Sequence, residues 1–226
     1  GDGHRLPLLL LGLIVFQALL GMWTVTQLLK PMVVTAHLLG GMATLSLLLW
    51  LWLRERRQFS HAYNARVDHL RPSAVVGLAL VVTQIALGGW VSTNYAALAC
   101  ADFPLCQGVW MPAMDFEPGF TLHRELGETA TGELLPITAL TAIHWAHRVM
   151  ALIVTLYLGW LVLRMLRVPG YARVGLVVGG LLTLQVTLGI SNVMLSLPLA
   201  VAVAHNAGAA LLLASLTWLN YRMRRR

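Results

Sequence analysis

Residues 137–166, "ITALTAIHWAHRVMALIVTLYLGWLVLRML", decide the fold. The run is apolar and exceeds the ~20 residues that a helix needs to cross a ~30 Å hydrocarbon core. Yet His144, His147 and Arg148 stand near its start. Five similar runs flank it, so six spanning helices are expected, at about 6–29, 31–53, 73–92, 138–163, 174–196 and 198–221. Across the 226 residues only 11% are charged and mean hydropathy is +0.73, whereas a soluble domain carries about 25% charged residues. The fold class is therefore an all-α integral membrane protein.

The net charge of +7 is not a nucleic-acid signature, because the basic residues gather in short loops rather than along one face. "RERRQFSHAYNARVDHLR" carries five arginines, "RMLRVPGYAR" three and the tail "RMRRR" four. Opposite them, the loop after the third span has six acids and Arg124 as its one Lys or Arg. The bias of Lys and Arg toward the cytoplasm then puts both termini inside and the acidic loop outside. The tight turns at Lys30-Pro31 and near Pro198 fall on the outer side. Cys100 and Cys106 lie in the outer loop, where an oxidising compartment favours a disulfide between them; two separate thiols are the alternative.

An internal repeat organises the spans. With a constant offset of 168, Gln17 falls on Gln185, Gly21 on Gly189, His37 on His205 and Gly40 on Gly208. The first and last helix pairs are thus copies, and the third span holds the same Gln-x-x-x-Gly step at Gln84 and Gly88. That step by itself reads as ordinary packing by small residues. Spans three to six form one complete four-helix bundle, and the first two read as half of a second. The expected division is 1–57, a cytoplasmic loop at 58–72, and 73–226 with the outer loop at 93–137. By the same arithmetic the chain is expected to be an N-terminally truncated copy of an eight-helix protein.

His37, His147 and His205 each precede by 17 residues the first arginine of the inner side, Arg54, Arg164 and Arg222. At 1.5 Å per residue that is about 25 Å, so the three imidazoles share one layer just beneath the outer edge. Intramembrane ionisable groups are functional candidates by default. A neutral imidazole has the lone pair that haem iron takes, and small residues one turn on (Gly40 and Gly41, Ala151, Gly208 and Ala209) lie on the histidine's own face, leaving room for a flat macrocycle. Hydrogen bonding to a neighbouring helix is the alternative. His144 reads as a packing or supporting residue. Arg148 either pairs with a haem propionate or snorkels outward. His61, His69 and His123 read as solvated loop residues.

"GGWVSTNYAALACADFPLCQG", "AIHWAHR" and "AVAHNAGAALLL" resemble the second half of bacterial haem A synthase, and "LLGMWTVTQLLKPMVVTAHLLGGMATLSLLLWL" resembles that family's third and fourth helices. The resemblance implies two pseudo-symmetric halves with one haem each. It implies a haem b cofactor ligated by His147 and His205, and His37 as a ligand of the substrate, haem O. The implied reaction oxidises the C8 methyl of haem O to a formyl group, giving haem A for terminal oxidases. Implied partners are haem O synthase and an electron donor, and the implied location is the bacterial plasma membrane. The family's catalytic acid belongs to a loop with no counterpart here, so Glu117, Glu125, Glu128 and Glu133 take no such role. A bis-histidine b-type cytochrome is the alternative function, disfavoured by the single histidine depth. A repeat-built transporter with a histidine proton relay ranks last, since no span has a central Pro.

Overall fold

A computed structural model describes residues 5–56 and 65–224. Its helices are α1 (Arg5–Thr26), α2 (Pro31–Glu55), α3 (Ala65–Thr93), α4 (Phe116–Phe120), α5 (Ile137–Leu166), α6 (Ala172–Met194) and α7 (Leu199–Met223). All but α4 include a stretch long and apolar enough to cross a bilayer, that of α3 being His69–Thr93. The protein is an all-α, multi-pass membrane protein.

Span limits match expectation within three residues, with one exception. The stretch 58–72 was expected as loop, but it is helical from Ala65, with Pro72 inside α3; residues 57–64 lie outside those described. Nothing between Ala65 and Arg71 breaks a helix, and polar residues can carry one beyond the apolar layer.

The repeat extends to backbone torsions. After α1 the chain turns through Leu28 (φ 50°) and Leu29 (φ 60°), and after α6 through Ser196 (φ 56°) and Leu197 (φ 63°). These pairs are again 168 apart. The hydrogen bonds repeat too: Leu29 N donates to Thr24 O at 2.9 Å, and Leu197 N to Asn192 O at 2.7 Å. Two left-handed non-glycine residues in succession are uncommon, which is why α1 and α6 stop at Thr26 and Met194, short of the apolar limit. Pro31 then opens α2 at a position where its missing N–H costs nothing.

Helices α3, α5, α6 and α7 pack as a closed ring, α3 on α5, α5 on α6, α6 on α7 and α7 on α3. Helix α2 lies against both α3 and α7, and α1 packs on α2. The tightest core, including Leu158, Leu161, Met165, Val178, Leu213, Leu216 and Leu219, fills the arginine-rich end of the ring. Because lipid is as apolar as leucine, close contact and interhelical hydrogen bonds hold such a bundle. Gly175 lets α6 approach Met165 and the Val162 carbonyl. Tyr221 donates to Leu53 O, Asn220 to Ala74 O and Tyr157 to Ser73 O, at 3.0–3.1 Å. Each such bond contributes roughly 0.6 kcal/mol, and together they tie α7 to α2 and α3, and α5 to α3.

The acidic loop lies across the other ends of α3 and α5. A 3-10 turn (Ala96–Leu98) and α4 interrupt it. Trp90, Val91, Ala96 and Ile143 make a small separate core beneath it.

Candidate functional site

The histidine layer lies above the dry core, toward the acidic loop. Each imidazole rests against the glycine of a Gln-x-x-x-Gly step on the preceding long helix. A Cβ built on Gly21 would stand 3.3 Å from His37 Cε1, one on Gly88 3.1 Å from His147 Cε1, and one on Gly189 3.1 Å from His205 Cε1. All three contacts are tight for a methyl group, so glycine is what lets backbone and ring meet. His147 and His205 stand on α5 and α7, which are diagonal in the ring and run in the same direction. His37, on α2, belongs instead to the α1–α2 pair.

The glutamines take part as well. Gln84 Nε2 stands 3.1 Å from His147 Nδ1 and donates to the His147 carbonyl at 3.2 Å. Gln185 Nε2 stands 3.3 Å from His205 Nε2. A Cβ on Gly40 would run into Gln17, and one on Gly208 into Gln185. The room expected beside His37 and His205 is therefore filled at these two glycines by an amide from the next helix, while Gly41 faces open space. The Gln-x-x-x-Gly step, read as packing, also sets polar contacts to the rings. Several buried atoms lack a hydrogen-bond partner: Gln17 Nε2, His37 Nδ1, Gln84 Oε1, Gln185 Oε1 and His205 Nδ1. Buried polar atoms are nearly always paired, so this concentration in one layer marks it as a site.

Cys100 and Cys106 are joined by a disulfide. The loop they close is fastened to α5 by Arg148, which donates through Nη2 to Cys100 O at 2.7 Å and through Nη1 to Leu105 O at 2.8 Å. Its Nε donates to Nε2 of the buried His144 at 3.2 Å. The guanidinium thus anchors the loop. Within the loop, Asp102 accepts the Gln107 and Gly108 N–H groups at 2.7 and 2.8 Å. The Gly108 bond leads in holding this carboxyl below the usual carboxylate range, with Gln107 adding to it.

Sequence reasoning missed a second anchor. Arg124 is only 5% exposed, donates to Glu128 O and Asn94 Oδ1, and lies 5.7 Å above the Trp90 ring. Burial lowers its pKa from the ordinary arginine value. Its neighbour Glu125 pairs with Lys30 at 2.8 Å, so the loop also touches the α1–α2 turn. The available signal was Arg124's position as the sole Lys or Arg of an acidic loop.

Among the described residues, no three of His, Cys, Asp or Glu gather as a cage for a bare metal ion. A metal that brings ligands of its own asks less of the protein, and His147 and His205 could each offer it one imidazole nitrogen.

A family model for COX15-CtaA, cytochrome oxidase assembly protein, matches residues 2–217. The heme A synthase of Shewanella oneidensis is 46% identical over 217 residues, covering 96% of this chain and 66% of that protein. The heme A synthase of Caulobacter vibrioides is 31% identical, over 96% of this chain and 62% of its own length. The heme A synthase COX15 of Arabidopsis thaliana is 32% identical, over 66% of this chain and 31% of its own. The chain thus spans less than two thirds of the length of these relatives. A match across nearly all of the described helices, histidine layer and disulfide loop included, places the chain in the COX15-CtaA family of cytochrome oxidase assembly proteins.

Proposed function

We propose that the protein acts as a haem A synthase, oxidising the C8 methyl of haem O to a formyl group and so making haem A for terminal oxidases. The observation that carries this reading is the imidazole-on-glycine contact, made three times in one layer. The relatives named heme A synthase support it. In this reading His147 and His205 would hold the iron of a haem b cofactor, and His37 would hold that of the substrate haem. Bound haem b supplies redox chemistry that no side chain here has. The chain's own residues bind and orient. His147 and His205 present their nitrogens from diagonal helices, while Gly88 and Gly189 keep side chains from the rings. The Arg148-anchored disulfide loop limits water from the outer side. The arginine-rich end and the disulfide at the opposite end support a plasma-membrane orientation with both ends of the chain in the cytoplasm.

The test uses the full-length protein purified from membranes. A low-spin haem spectrum is expected, lost in His147→Ala and His205→Ala. Haem O supplied to the reduced enzyme in air should be recovered as the formylated product, identified by mass. A folded wild-type protein without haem, or unchanged haem O, would overturn the proposal.

A further inference from the structure

Gln17, Gln84 and Gln185 each stand one turn before the glycine that a histidine rests on. For His147 and His205 the nearest hydrogen-bonding side chain is the glutamine, and in both pairs Nε2 faces the ring. Gln84 Oε1 and Gln185 Oε1 are buried without a partner. Unused acceptor capacity therefore lies beside two imidazoles.

An imidazole that gives one nitrogen to a metal carries a proton on the other. Such a histidine almost always donates that N–H to a carbonyl, carboxylate or water, which fixes its tautomer and raises its basicity. An amide serves both conditions of the ring. Its nitrogen donates to the lone pair of a free imidazole. Turned over, its oxygen accepts the N–H of a ligating one. A carboxylate would meet only the second need and would bring charge into an apolar layer, and an aliphatic side chain would meet neither.

We propose that Gln84 and Gln185 are positioning residues for His147 and His205, each turning its amide to accept the imidazole N–H once iron is bound. Gln17 stands in the same relation to His37 by the repeat. The inference rests on the haem reading above and adds the residues that set ligand strength. An accepted N–H makes the imidazole a stronger donor, which favours ferric over ferrous iron.

The experiment measures haem content, the visible spectrum and the redox titration of the full-length protein. Gln84→Leu and Gln185→Leu should retain haem. Loss of such a partner costs about tenfold or more in metal affinity; with that loss falling on the ferric state, each should lower the ferric-to-ferrous ratio about tenfold at a fixed ambient potential. For a one-electron couple that is a rise of about 59 mV. Gln84→Glu, which keeps an acceptor, should produce no such rise. The inference is overturned if both leucine variants hold haem at the wild-type potential, or if Gln84→Glu rises as far as Gln84→Leu. Should one leucine variant fail to fold, the other gives the same decision. A wild-type protein without haem would instead remove the underlying functional reading, and this inference with it.

Discussion

Replacing Gly88 by alanine tests the site through its closest contact. The added Cβ would lie 3.1 Å from His147 Cε1, whereas carbon atoms sit comfortably at about 3.5–4.0 Å. Relief requires the ring to back away by about 0.4–0.9 Å. Overpacking of this kind costs about 1–3 kcal/mol, and alanine returns about 1 kcal/mol of helix propensity over glycine. The net destabilisation is thus about 0–2 kcal/mol, too small to unfold the bundle. The effect on ligation is larger, since a site tolerates only about 0.5 Å of misplacement; haem retention should fall on the order of tenfold. The assay is haem per protein after detergent purification, with thermal melting alongside. Gly159→Ala and Gly180→Ala are controls, because a Cβ at either meets nothing within 4 Å; they should keep haem and gain up to about 1 kcal/mol. Full wild-type haem occupancy in Gly88→Ala would refute the idea that the glycine makes room for a ligating ring.

Arg148→Gln should release the Cys100 and Leu105 carbonyls. At about 1.5 kcal/mol for each charged bond, amide exchange in the disulfide loop should quicken on the order of 100-fold even without haem; unchanged exchange would reassign Arg148 to the ligand. Asp102 has a folded pKa below its ordinary 3.8. Its stabilisation is therefore present above that value and lost as pH falls through the lower, folded value. Loop protection, taken as exchange relative to the intrinsic amide rate at each pH, should fall in the wild type from pH 5 downward and be low throughout in Asp102→Asn; parallel profiles would contradict this. Reducing Cys100–Cys106 frees a short loop and should cost about 2 kcal/mol, read as a lower melting temperature in reductant that Cys100→Ser with Cys106→Ser does not show.

The sequence by itself determined the number of spans, the repeat and the common spacing of three histidines from the inner arginines, and it favoured the cysteine pairing that the structure shows. These depend on local properties: the length of an apolar run, charge at its ends, spacing along one chain. The 168 offset even carried the Leu28–Leu29 turn onto Ser196–Leu197. What only the tertiary structure decided is how each helix is rotated and which neighbour its polar groups meet. In a bilayer, lipid-facing and core-facing residues are equally apolar, so no amphipathic stripe marks the inner face of a helix. For that reason the Gln-x-x-x-Gly step reads as packing in the sequence although the Gln84 amide lies on His147, and nothing in α5 alone shows that Arg148 holds the loop carbonyls. The burial of Arg124 under its loop depends on Asn94 and Trp90, about thirty residues away, and no local pattern records that meeting.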